Sequence, residues 1–411
     1  MSLYAGIDVS SNDFKVRILD QAGNETAKRF QAANDHPGME SLARHLHQAC
    51  VEHKDDHLVI GIEATSVYSW HLQMSLAEEP SLVLMHPQIY SFNPKVVSNF
   101  KKAYVDLPKN DWVDAWVIAD RLRFGRLPEG SQVDFRYLPL QRLTRFRYHI
   151  VQDLSREKNH FLTNLFLKFS TLAQGDVFSD TFGATSESII LEFFSPEDVV
   201  ARPLEELIDI LVEKGKGHFD DPAATAKALK DAASKAHRLR RNLLEPVNYI
   251  LGSSSAIIRF LEKELKNIDK VIESELRNFP NTLQSIQGLG PVCSAGIIAE
   301  IGDIHRFPNE SKLAKFCGIT WREHQSGDFS AEDTPLTKTG NVYLRYYFIM
   351  AADSVRRWEL EFKEYYSRKY KESKTHHHRR ARVLTARKLI RVVDALLRSN
   401  QIYLPKGSRR G

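Results

Sequence analysis

The chain has 411 residues, 42% of them hydrophobic and 27% charged, which allows two or three domains with real cores and excludes wholesale disorder. Net charge is +5, yet residues 356–411 carry 17 Lys+Arg against 5 Asp+Glu, so a tail of +12 follows a body of −7. That asymmetry suits a polyanionic partner, most simply nucleic acid, while no apolar run is long enough to span a bilayer.

In chain order, residues 3–9 form a short apolar segment that predicts a strand, and residues 14–19 alternate apolar and basic positions as a half-exposed strand does. A turn at Gly23-Asn24 leads to a third strand over 26–32, and His36 opens a stretch with helical spacing. Residues 58–62 and 81–85 read as two more strands, each followed by a helix. Residues 1–130 are therefore expected to form an α/β domain with a mixed sheet covered by helices. Two long amphipathic stretches follow, over 138–172 and 243–279, and predict an antiparallel coiled-coil arm spanning 131–280. The segment between them, 173–240, reads as an insertion at the tip. Residues 281–411 begin with several glycines and continue as a long helical region from Asn341 to about Asn400, which makes a mostly helical C-terminal domain.

The opening residues lack the basic and apolar regions of a secretory signal, so a soluble cytoplasmic protein without a membrane partner is expected. Cys50, Cys293 and Cys317 are far apart and form no C-x-x-C pair, which argues against both a zinc ribbon and a disulfide framework.

Four acids draw attention by position. Asp8 ends the first strand in Gly6-Ile7-Asp8-Val9-Ser10, and Glu63 ends the fourth in Gly61-Ile62-Glu63-Ala64-Thr65. A carboxylate at the end of a buried strand is costly unless paired, hydrogen-bonded or metal-bound. Asp111 and Asp114 fall in Lys109-Asn110-Asp111-Trp112-Val113-Asp114-Ala115, three apart at the start of a helix and so on one face. Asp8, Glu63, Asp111 and Asp114 together could hold two Mg²⁺ ions, with Mn²⁺ as a substitute. An ion pair ~4 Å apart suits phosphodiester chemistry.

These runs, with Asn93-Pro94-Lys95 and Phe100-Lys101-Lys102, resemble the IS110/IS1111 family of transposases, which includes the Piv-type DNA invertases. The family's K-T-D-x-x-D-A motif carries Asn110 here in place of Thr. The resemblance implies an RNase H-like N-terminal domain similar to the junction resolvase RuvC, with Asp8, Glu63, Asp111 and Asp114 as its DEDD set. It extends to the C-terminal half. Gln287-Gly288-Leu289-Gly290 with its apolar flanks resembles a helix-hairpin-helix turn, whose backbone N–H groups grip a phosphate. The runs at Arg306-Phe307, Leu313-Ala314, Gly318-Ile319, Ser326-Gly327 and Lys338-Thr339-Gly340-Asn341 with Leu344-Arg345 resemble the family's second conserved block. In that block the serine, here Ser326, is the proposed nucleophile for a covalent protein–DNA link. Without the resemblance, Ser326 reads as an ordinary turn residue.

Lys338, Asn341 and Arg345 suit phosphate contacts, as do Arg379, Arg380, Arg387 and Arg391 in the basic tail. His376-His377-His378 does not suit a metal, since successive residues do not share a helix face. The function expected is DNA strand cutting and rejoining by an insertion-sequence transposase, acting on element ends and target as a homo-oligomer, a dimer or tetramer. Family members work with a structured guide RNA, so base pairing would supply sequence choice. The alternative is a junction-resolving nuclease that uses the same acids with water as nucleophile. A third reading, an ATP-binding protein of the actin type, shares the Gly-Ile-Asp strand end but lacks a second phosphate-binding strand.

Overall fold

The structure is a computed structural model. It describes residues 2–54, 57–64, 67–85, 87–127, 134–175, 177–216, 219–321, 325–326, 329–330 and 336–405, with backbone alone at 325–326 and 329–330. The chain divides into two compact units, one made of Met1–Leu138 with Asn281–Gly411, the other of Pro139–Pro280.

The first unit opens with a five-stranded sheet of order β3-β2-β1-β4-β5, built from β1 (Ser2–Val9), β2 (Asp13–Leu19), β3 (Phe30–Ala33), β4 (His57–Glu63) and β5 (Gln88–Phe92). β1, β2 and β3 are antiparallel neighbours, whereas β4 runs parallel to β1 and β5 parallel to β4. This is a mixed sheet, as the sequence predicts for residues 1–130. Strand alternation splits β1 between two layers. Leu3, Ala5, Ile7 and Val9 face a core shared with α1 (His36–His53), α2 (Tyr68–Glu78) and α3 (Pro80–Val83). The opposite face, with Tyr4 and Val59, packs against α4 (Pro94–Lys101) and α5 (Asp111–Phe124) through Val97, Val117, Ile118 and Leu122.

Two strand expectations are corrected. Residues 81–85 are not a strand, because Pro80 fits the first helical turn and the Glu79 carboxylate accepts the N–H of Ser81, which starts α3. The edge strand is instead β5. The third strand covers Phe30–Ala33 rather than 26–32, because the chain meets the sheet first through an isolated bridge between Leu19 and Glu25.

The second unit contains two long helices, α6 (Leu138–Lys168) and, further on, α12 (Arg241–Leu276), with five short ones between them: α7 (Ser170–Gln174), α8 (Ala184–Glu192), α9 (Pro196–Ala201), α10 (Leu204–Gly215) and α11 (Pro222–Lys235). α6 and α12 run antiparallel, since Arg147 pairs with Asp269, Lys158 with Glu262, and Lys168 with Asn248. The short helices enclose their own core with the adjoining ends of the long ones, through Phe161, Leu165, Ile189, Leu211, Leu229 and Leu251. Lys168 is buried in this unit, donating to the Ile190 carbonyl at 2.7 Å and to Asn248 Oδ1 at 2.6 Å.

The remainder of the first unit is mostly helical: α13 (Pro291–Ile301), α14 (Glu310–Cys317), a small hairpin of β6 (Gln325–Ser326) and β7 (Phe329–Ser330), then α15 (Val342–Trp358), α16 (Leu360–Glu372) and α17 (His377–Ser399). The long helical region expected after Asn341 is thus three helices. It breaks at Glu359, whose buried carboxylate turns back to accept the Gln287 N–H, and again before His376, which adopts a left-handed backbone with φ 49°. α13 and α15 pack closely because Gly296 offers no Cβ to the Tyr347 ring. The three cysteines form no disulfide, and Cys50 and Cys317 are buried. Among the described residues no helix is long and apolar enough to cross a membrane.

Candidate active site

Asp8 lies two residues after Gly6 on β1, so both point to the face that α5 covers. Gly6 and Gly61 are register partners on β1 and β4, and Glu63 follows Gly61 by two on the same face. The glycines let α5 sit flush on the sheet: a Cβ on Gly6 would lie 2.1 Å from the Ala115 carbonyl oxygen, and one on Gly61 2.9 Å from the Ile118 side chain. The first turn of α5 therefore stands over the strand ends with Asp111 and Asp114. Asn110 fixes its start, its Oδ1 accepting the Val113 N–H at 2.9 Å. Asp120, a further acid of α5, is buried but already occupied by the Tyr104 hydroxyl and Arg123.

The electrostatics bind the four acids into one group. Burial, then Glu63, Asp111 and Asp114 in turn, push the Asp8 carboxyl up to about 6, against the pull of Lys15. Burial and the neighbouring Asp114 likewise raise Glu63. Two ammonium groups balance the remaining charge. Lys15, the cross-strand partner of Asp8, places Nζ 2.5 Å from Asp111 Oδ2 and 3.5 Å from Asp13. Lys101, at the end of α4, places Nζ 2.6 Å from Asp114 Oδ1.

Among the described residues no three carboxylate, histidine or cysteine side chains enclose a metal position as they stand. The chemistry of the donor set still fits a hard divalent ion. It supplies only oxygen ligands, from two strand ends and one helix start, and burial together with their mutual repulsion raises the carboxyl of Asp8. Lys15 and Lys101 now meet part of the demand for positive charge that such an ion would meet.

The C-terminal candidates fall into different classes. Ser326 lies in β6 opposite Phe329, and its side chain lies outside the described residues, as does Gly327. Gly288 has φ +84° and lies tight against Trp358, and the preceding N–H, of Gln287, already donates to Glu359 at 3.1 Å. Gly290 precedes α13, whose first residue, Pro291, has no N–H to offer. Asn341 caps α15 through the Leu344 N–H and donates Nδ2 to the buried Glu300 carboxylate at 2.6 Å. Arg345 reaches back to the carbonyls of Cys317 at 3.0 Å and Lys338 at 3.1 Å. Arg387 and Arg391 share Glu310. Lys338 is exposed, and on α17 Arg379 is exposed and Arg380 half-buried. His377 contacts the Tyr370 carbonyl and His378 the Tyr366 hydroxyl.

Comparison with known families matches two stretches of the chain. A transposase model for the DEDD domain of IS110 elements matches residues 5–169, and a model described as "Transposase IS116/IS110/IS902 family" matches residues 281–367. The chain belongs to the IS110 family of transposases. The chain is 32% identical over 127 residues to the transposase for insertion sequence element IS1111A of Coxiella burnetii, covering 31% of this chain and 33% of that one. It is 26% identical over 155 residues to a 44.8 kDa insertion element IS116 protein of Streptomyces clavuligerus, covering 35% and 36%. It is 25% identical over 114 residues to a probable family 20 transposase of Pseudomonas aeruginosa, covering 27% and 33%. These matches span about a third of each relative's length. T. thermophilus RuvC in complex with Holliday junction substrate aligns at 9% identity over 29% of this chain and 90% of that one, with a TM-score of 0.22, a likeness too slight to carry any argument here.

Sequence reasoning missed Lys15 and Lys101 as partners of the acids. The alternation over 14–19 carried the signal for Lys15, but only the strand register places it opposite Asp8. Lys101 lies in the Phe100-Lys101-Lys102 run, where nothing local points to an acid in α5.

Proposed function

We propose that this chain cuts and rejoins DNA strands at the ends of its element and at a target, with the four acids as a metal site and Ser326 as nucleophile. The observation that supports it best is the gathering of Asp8, Glu63, Asp111 and Asp114 at one end of the sheet, in a chain of a transposase family. These carboxylates would hold Mg²⁺, or Mn²⁺ in its place. A bound divalent ion would polarise the scissile phosphodiester and stabilise the departing oxygen. In the covalent step the Ser326 oxygen would bond to phosphorus as the bridging P–O bond breaks, its proton passing through water to the departing DNA oxygen, which leaves as a hydroxyl. Rejoining reverses these changes with a new DNA hydroxyl.

In the same reading the basic tail, with Arg379 and Arg380, meets nucleic acid backbone, and a structured guide RNA supplies sequence choice by base pairing. The α6–α12 pair would serve as a coiled-coil arm, and the chain would act as a homo-oligomer in the cytoplasm. The test uses DNA carrying an element end and target, with RNA transcribed from the non-coding sequence beside the gene. The wild-type chain with Mg²⁺ should leave a protein–DNA adduct that survives denaturant, and chelation, Ser326→Ala or Asp8→Asn should each remove it. If Ser326→Ala still joins strands, the serine role is wrong and a water-using nuclease replaces it. If Asp8→Asn still cuts, the acid site is wrong.

A further inference from the structure

Two of the four acids are not bare. Lys15 Nζ lies 2.5 Å from Asp111, and Lys101 Nζ lies 2.6 Å from Asp114, so each helix acid carries its own ammonium group. The two lysines come from different elements, β2 and α4, and flank the start of α5 from separate directions. Both are largely covered, with side chains 15% and 21% exposed, while Asp111 is 60% exposed at the mouth of the site. A lysine stem has several rotatable bonds, so its head can leave one oxygen for another a few ångströms away without moving the backbone.

We propose that Lys15 and Lys101 are displaceable counter-ions: they neutralise the acid site when it holds no divalent ion, yield their carboxylates to one that binds, and then turn to the DNA phosphates. The proposal rests on the reading that the four acids bind a divalent ion, and it adds a coupling between that ion and DNA. An ammonium group and a divalent cation cannot share the same carboxylate oxygens, and like charges a few ångströms apart repel. Once released, Lys101 stands beside the acids, where a phosphodiester can re-pair it, while Lys15 also keeps Asp13 at 3.5 Å as a second partner. Ion and DNA therefore each favour the lysine position that suits the other. The lysines would weaken ion binding by the DNA-free protein and strengthen DNA binding by the ion-loaded one.

The experiment measures Mn²⁺ binding calorimetrically to full-length wild type, Lys15→Met and Lys101→Met without DNA, with folding verified by circular dichroism. Methionine keeps most of the apolar stem and removes the charge. Each variant should bind Mn²⁺ about three- to tenfold more tightly than wild type. The salt dependence of DNA binding is then compared in Mn²⁺ and in chelator. In chelator, Lys101→Met and wild type should share one slope, because Lys101 is engaged with Asp114. In Mn²⁺, the variant should be shallower by about one, the loss of one phosphate contact. Equal Mn²⁺ affinity in the variants and wild type, or the same slope difference in both conditions, would overturn the proposal. A control with Asp8→Asn and Glu63→Gln separates the two failures. If wild-type Mn²⁺ binding survives both changes intact, the acids are not the ion site and both readings fall together.

Discussion

Gly6 of β1 lies against Ala115 of α5 so closely that a Cβ on the glycine would stand 2.1 Å from the alanine's carbonyl oxygen. That contact sets the height of α5 above the sheet, and with it the position of Asp111 and Asp114 over Asp8. Gly6→Ala has backbone in its way, and backbone cannot rotate aside as a long side chain can. The substitution should cost roughly 1–3 kcal/mol, the usual penalty for overpacking. Denaturant unfolding should show this as a lower midpoint with an unchanged slope. An unchanged midpoint would mean that the helix can lift without loss.

Asn110 caps α5 where the family motif has threonine, and both residue types can accept a helix N–H. Asn110→Ala should therefore lose about 0.5–2 kcal/mol, while Asn110→Thr should stay close to wild type. The readout is the unfolding midpoint of the three chains side by side. Equal loss in both variants would show that Asn110 acts through something other than its cap.

Burial lowers the Lys168 amine from its ordinary 10.5 to about 8, so the folded chain releases a proton that the unfolded chain keeps until near 10.5. Between those two values the unfolded state binds more protons, and stability contributed at this site rises with pH. Below about 8 the folded protein carries the full cost of a charged, buried ammonium group. The difference in unfolding free energy between wild type and Lys168→Met should shift in favour of wild type as pH climbs from 8 to 10.5. A difference that stays flat across that window would place the proton elsewhere.

Arg345 and Arg379 look alike in sequence as phosphate contacts but differ in place. Arg345 ties the carbonyls of Cys317 and Lys338 together, whereas Arg379 is exposed on the first turn of α17. Arg345→Ala should lower the unfolding midpoint and leave the salt slope of DNA binding unchanged. Arg379→Ala should leave the midpoint within about 0.5 kcal/mol of wild type and reduce the slope by about one. Reversed results would exchange their roles.

Sequence patterns exposed the sheet best where side-chain alternation was strong. β1 and β4 were legible because buried apolar runs end in a charged residue, and α5 because its acids follow a capping asparagine. The edge was misread at residues 81–85, where an apolar run of helical and strand residues is too short for periodicity to decide and a proline with a capping glutamate decided instead. The acids Asp8, Glu63, Asp111 and Asp114 were recognisable one by one, but their lysine partners were not. A pairing such as Lys15 with Asp111 depends on strand register and on how a helix lies over a sheet, and neither is written locally. Asn341 and Arg345 were legible only as polar residues, and the partners they hold within the fold, the Glu300 carboxylate and the Cys317 carbonyl, were not.

The first unit is assembled from two distant stretches of polypeptide, with the 142 residues of Pro139–Pro280 leaving and returning between them. The entropy of closing such an excursion grows only with the logarithm of its length, about 0.6 kcal/mol for each doubling. Length added to the middle of the gene therefore costs the first unit little, while the short helices between α6 and α12 are held by the second unit's own core. The sheet with its acids and the hairpin with its serine belong to one unit, which closes without the segment over 173–240, whose helices answer to a different core.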